Sequence, residues 1–180
     1  MKVRPKYFRL DERSNALDYL RKVRLHLAEV ENDQWAWKWV FIALHGALYG
    51  FAITVAKGTD DSSVVKQNGR LVSFWSALKH CQNIGALEQL TESQKKSLER
   101  LAETLRNEFM HFQPKGWSIE VHGFPKIVIE VLGMIRALSE HPNVFIHLSG
   151  RQIEEVRSVC FQGTKAMRRN PLFLEVNAHE

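Results

Sequence analysis

The sequence predicts an all-α protein, a bundle of four to five main helices forming one domain over residues 1–180. Three observations carry that prediction. Apolar residues recur at three- and four-residue steps along most of the chain. Alternation of apolar and polar residues, the mark of a half-buried strand, is confined to one short stretch. Capping and stop residues fall where the periodic runs begin and end. At 180 residues, 44% apolar and 25% charged, the chain has the length and composition of a soluble globular domain with a sizeable core. It shows no internal repeat and no low-complexity tract.

The first helix has its stripe at Leu17, Leu20, Val23, Leu27 and Val30, with Asp11 and Ser14 as caps. A second, the most apolar, covers 35–56. The polar run "KGTDDSSVVKQNGR" (57–70) reads as a loop. A shorter helix then carries Phe74, Trp75, Leu78 and Cys81. Thr91-Glu92-Ser93-Gln94 has the pattern of a capping box and opens the third long helix. Its stripe is Leu98, Leu101, Leu105, Phe109 and Phe112, and Pro114 and Gly116 stop it. Trp117, Ile119 and Val121 alternate with polar residues and suit a short extended piece. Pro125, at a first-turn position, starts a very apolar helix that runs through Leu138. Pro142 ends it, and a last helix carries Ile153, Val156, Cys160 and Met167.

Trp39 through Ala56 is 18 residues without a formal charge, close to the lower limit for a membrane-spanning helix. His45 lies in its middle, Gly46 and Gly50 interrupt it, and single lysines at 38 and 57 give no charge bias to orient it. A helix that is apolar all round equally suits the centre of a soluble bundle, which is the reading adopted here: no membrane association is expected. Cys81 and Cys160 stand in no metal-binding or redox spacing, and the basic N-terminus lacks the apolar run of a signal peptide. A cytoplasmic location with free thiols is expected. The formal net charge of +5 gives a mild attraction to anionic partners such as nucleic acid.

The residues that point to chemistry are in "RNEFMHFQPKGWSIE" (106–120). The spacing Arg-x-x-x-x-His is weak by itself. Thirteen arginines and eight histidines in 180 positions predict about 0.6 occurrences by chance, and three occur. Requiring asparagine after the arginine lowers the expectation to about 0.03, and only Arg106-Asn107-Glu108-Phe109-Met110-His111 passes. On a helical wheel with Leu105 at zero, Arg106 falls at about 100°, His111 at about −120°, Asn107 at about 200° and Met110 at about 140°. The motif is therefore expected on the flanks and back of a helix whose apolar stripe is already complete. An outward Met110 suggests a surface covered by a partner.

An Arg-Asn-x-x-x-His signature late in an all-helical domain of this size resembles the HEPN superfamily. The continuation "HFQPKGWSIEVHGFPKI" is similar to a bacterial branch of plasmid- and defence-associated HEPN proteins. The likeness is sharp over 106–127 and architectural elsewhere. It implies a HEPN-like bundle that forms a symmetric dimer, with the two motifs meeting across the interface in a metal-independent ribonuclease site. Carried onto this chain, it makes Arg106 and His111 catalytic and Asn107 a positioning residue, with no cofactor. The partners implied are RNA, a second copy of the chain, and an antitoxin or regulatory protein. One toxin branch has a modified tyrosine two residues after the histidine; Gln113 stands there in this sequence, so that modification is not expected.

The residue types suit the chemistry. Cleavage of RNA by its own 2′-hydroxyl needs a base for that proton and an acid for the leaving oxygen, and histidine serves either near neutrality. A symmetric dimer would supply two copies of His111. Arg106 offers a fork of donors to a phosphate whose charge grows in the transition state. Lys115 and Trp117 are candidate RNA-binding residues, as a phosphate contact and a stacking face, although Trp117 also suits packing under its own loop. Three other readings remain open. Glu108-x-x-His111 matches half of a di-iron motif, but no second copy occurs. His45 reads as a satisfied core histidine rather than a ligand. The main alternative to the nuclease is a non-catalytic HEPN-like module that binds nucleotide, RNA or protein.

Overall fold

Helix α1 (Glu12–Leu27) starts at a reciprocal capping box in which Asp11 accepts from the Ser14 amide at 2.7 Å and the Ser14 hydroxyl accepts from the Asp11 amide at 3.1 Å. It runs antiparallel to α2 (Ala36–Lys57), and two glycines of α2 let the helices touch. A Cβ on Gly46 would lie 2.6 Å from the Tyr19 ring, and one on Gly50 would lie 2.6 Å from the Ala16 Cβ. At the far end Lys57 reaches Glu12 at 3.0 Å. A computed structural model describes residues 7–8, 10–111, 116 and 118–178, and helices dominate them.

Several further elements pack on α2. Helix α3 (Phe74–Asn83) covers one side. Helix α6 (Phe124–Ser139) lies on another, where Phe124 meets Phe41 and Trp37 edge-on at 4.6 and 5.3 Å. Helix α8 (Gly150–Arg169) packs against α6 at Gly163, where a Cβ would sit 2.7 Å from Leu132. The Arg21 guanidinium clasps both Glu155 oxygens at 2.7 and 2.8 Å, tying α1 to α8. The short α7 (Pro142–Phe145) and the segment after it close the end of α2: Asn143 donates to the Val55 carbonyl at 2.8 Å and His147 to the Gly58 carbonyl at 2.5 Å. A last short helix, α9 (Pro171–Asn177), folds back on α6 and α8.

Helix α2 is long and apolar enough to cross a membrane, but 67% of its apolar window is buried within the bundle. Most of its apolar surface is therefore covered by protein. Cys81 and Cys160 are buried and free, and burial pushes both thiols up to about 12.

The third long helix differs from its expected form. Glu92–Glu99 (α4) starts at the expected Thr91/Gln94 capping box, but Arg100–Leu105 is π-helical, and α-helix resumes only over Arg106–Met110 (α5). Periodicity gives no warning of this wide turn, because Leu98, Leu101 and Leu105 keep ordinary spacing and are all fully buried. Two anchors accompany it. Arg100 donates to the Glu120 carbonyl at 2.5 Å and lies 5.5 Å from the Phe124 ring centroid, holding the strap that leads into α6. Asn107 donates to the Glu103 carbonyl at 3.0 Å. Residues 118–121 pair into no strand among the described residues, and Trp117 lies outside them. The 57–70 loop has more order than its composition suggests: a 3-10 turn at Asp61–Ser63, a bridge between Val65 and Leu71, and a buried Val64.

The α1/α2 contact supplies a direct test. Gly50→Val would push against both the side chain and the backbone of Ala16, so it is expected to destabilise by about 1–3 kcal/mol. Thermal melting followed by circular dichroism should then fall by several degrees. A melting temperature within a degree of the parent would contradict this packing.

Candidate functional site

The motif sits where the π-helical segment gives way to α5, and Phe109 fastens that helix to α2 by stacking on Phe41 at 6.4 Å. The structure separates the three motif side chains. Asn107 and His111 are exposed, as expected. Arg106 is half-buried rather than outward, because the flank it occupies faces α2 and α1. Its guanidinium donates to the Asn107 Oδ1 at 2.9 Å, and Asn107 is itself pinned to Glu103. Among the described residues Arg106 has no carboxylate partner. His111 ends α5, and its amide donates to the Asn107 carbonyl at 2.9 Å. Its imidazole has no hydrogen-bond or ionic partner among the described residues, and it does not line the cleft that Arg106 enters.

That cleft holds about 620 Å³ between α1, α2, α5 and the 58–72 loop. Arg106 and Met110 form one wall, and Tyr19, His45 and Tyr49 stand beside them. Met110, 53% exposed, forms the rim, which agrees with its expected outward position. The charge within the cleft is uneven. Lys57, at the far end, is neutralised by Glu12 at 3.0 Å and Asp61 at 2.8 Å. Arg106 is not neutralised in this way.

His45 was expected as a satisfied core histidine, and it is not one. Its ring stacks on Phe74 at 4.6 Å and forms part of the cleft wall, with no hydrogen-bond partner among the described residues. Burial, and then the positive charge of Arg106, push its pKa down to about 4, so it is neutral at physiological pH. The sequence does contain a signal for this wall. Ile42, His45, Tyr49 and Lys57 recur at helical spacing on an otherwise apolar helix, and three of the four carry polar tips.

Lys115 and Trp117, the expected RNA contacts, lie outside the described residues, as do Phe112 and Gln113. Glu108 is half-buried beside Phe109, Trp37 and Ile119. Among the described residues no three His, Cys, Asp or Glu side chains gather as a metal-binding group. Comparison with models of known families, with characterised proteins and with solved structures finds no significant match to this chain.

The proximity of His45 to Arg106 predicts a titration. The His45 imidazole should titrate well below the ordinary value of about 6.5. Stability should therefore be fully present above pH 6.5 and fall as pH drops toward 4, because the unfolded chain takes up a proton that the folded chain refuses. Arg106→Ala should raise the midpoint, and it should still lie below the ordinary value because burial is the larger cause. Proton NMR of the imidazole ring checks both points. A parent midpoint at or above 6.5, or no upward movement in the variant, would show that the two side chains do not share the cleft.

Proposed function

We propose that this protein is a metal-independent endoribonuclease of HEPN type, with Arg106 and His111 acting on the scissile phosphate and Asn107 positioning the arginine. One observation supports this reading above the others. Among the described residues Arg106 carries a positive charge without a carboxylate partner and is held by Asn107, and His111, five residues on, is exposed and has no hydrogen-bond or ionic partner. The bond from Asn107 to Glu103 gives the asparagine a definite role. It fixes the acceptor that orients the guanidinium, so less side-chain freedom is lost when phosphate binds. The adjoining π-helical segment adds weight, since such turns are frequent at functional sites.

In the reaction, the ribose 2′-oxygen gives up its proton to a base and attacks the adjacent phosphorus. The bond to the 5′-oxygen breaks, and that oxygen takes a proton from an acid. The products are a 2′,3′-cyclic phosphate and a 5′-hydroxyl. Arg106 would stabilise the charge gathering on the phosphoryl oxygens. His111 of one chain would serve as base and its copy in a second chain as acid. The separation of Arg106 and His111 into cleft and open surface favours such a composite site, because a second chain would close it. The same separation, with the tyrosine-lined cleft beside Arg106, also favours a second reading, a non-catalytic module that binds a nucleotide there.

Mixed RNA incubated with the pure protein in EDTA decides between them. Cleavage leaving cyclic phosphate ends is expected. Arg106→Ala and His111→Ala should each lower the rate about a hundredfold or more, and the exposed His111→Ala should shift stability by about half a kcal/mol or less. Leu105→Ala should do the opposite, costing roughly 2–5 kcal/mol through a core cavity and affecting cleavage only through unfolding. Unchanged cleavage in His111→Ala, or none by the parent on any RNA, would leave the binding module as the better account.

A further inference from the structure

A second groove lies between α4, α6 and α8, away from the motif, with a volume of about 640 Å³. We infer that this groove binds single-stranded RNA, with the last turns of α8 holding phosphates and Phe161 stacking on a base.

Four features of the groove support this. Lys165, Arg168 and Arg169 project from the C-terminal half of α8 and have no ion-pair partner among the described residues. Arg136 enters from α6, only loosely engaged by Glu140 at 3.4 Å. The groove thus concentrates positive charge that the fold leaves unbalanced, which suits a polyanion. Phe161, 61% exposed, sits among these cations. An aromatic face beside a line of cations is the arrangement that binds single strands, whose unpaired bases can stack. A duplex hides its base faces, and an acidic helix would make no such use of a ring.

The other two features concern the floor. Gly133 lies mid-helix in α6, where glycine costs about 1 kcal/mol relative to alanine. Neither backbone conformation nor packing requires it, because a Cβ there would meet nothing within 4 Å. Its effect is to keep the groove deep. Beside it Glu130 uses Oε1 to accept from the Ser93 hydroxyl at 2.6 Å, while its Oε2 is buried without a partner among the described residues. A buried acceptor without a donor is costly, and a small turn of this carboxylate into the groove would let a nucleobase amino or imino group satisfy it.

The choice of RNA rather than another single-stranded polyanion rests on the proposed nuclease reading; the groove itself does not. The test uses the full chain carrying His111→Ala, so that no probe is cut, with a fluorescein-labelled 12-nucleotide oligouridylate followed by anisotropy. Replacing Lys165, Arg168 and Arg169 together with alanine should weaken binding about tenfold or more and reduce the salt slope by about two. Phe161→Ala should weaken it about fivefold or more, and Gly133→Trp should block it by filling the groove while the protein melts normally. Heparin, which has charge but no bases, should be indifferent to Phe161→Ala. Binding unchanged in the triple variant overturns the proposal, as does oligouridylate binding insensitive to both Phe161→Ala and Gly133→Trp. Cleavage by the parent with unaltered binding in the groove variants removes the groove alone. Groove-dependent binding in a protein that cuts no RNA removes the nuclease reading alone.

Discussion

The contact between α1 and α2 at Gly46 and Gly50 sets the geometry of everything around it. With Cβ atoms at those positions the helices would stand further apart, since the Tyr19 ring and the Ala16 methyl already fill the space. Close approach lets α2 bury residues in nearly every direction, so that α1, α3, α5, α6 and α7 all pack on it. The price is a helix whose C-terminal carbonyls lie within the protein, and side chains satisfy them: Asn143 at Val55, Ser63 at Ala56 and His147 at Gly58. The flank of α2 next to that contact presents His45 and Tyr49 to the neighbouring cleft. The close contact and the cleft wall therefore have a common origin.

Unpaired cations beside a groove are common to two regions of this surface. Several cations are neutralised locally: Arg21 by Glu155, Lys57 by Glu12 and Asp61, Lys95 by Glu92, and Arg100 by Glu120. Exposed pairs of this kind add little stability, but they cancel the local field. At Arg106 and along the end of α8 no ion pair cancels it among the described residues. Each of these regions borders a groove of several hundred cubic ångströms with an aromatic side chain in its wall. They differ in character. Arg106 is held by a hydrogen-bonded chain through Asn107 to Glu103, a fixed donor suited to one phosphate. The α8 cations are exposed and spaced along the helix, suited to following a strand.

The all-α class, the order of the helices and most of the core were determined by sequence alone, because helical periodicity is local. Leu17, Leu20, Val23 and Leu27, and later Ile153, Val156, Cys160 and Met167, are buried where their spacing places them. The capping boxes at Asp11 and Thr91 depend only on neighbours three residues apart and were legible for the same reason. The Arg-Asn-x-x-x-His motif could be found in the sequence, and a helical wheel put Asn107, Met110 and His111 on the exposed side. What a wheel cannot give is what faces each flank. Arg106 enters a cleft because α5 lies against α2, and that depends on Phe109 stacking on Phe41, residues 68 positions apart. His45 read as core because its helix is apolar, yet it stands in a cleft wall between Phe74 of α3 and Arg106 of α5. The π-helical turn left the apolar spacing unchanged, and the groove on α8 exists only where α4, α6 and α8 converge. Periodicity records which side of a helix avoids water; only the tertiary packing decides which polar groups meet.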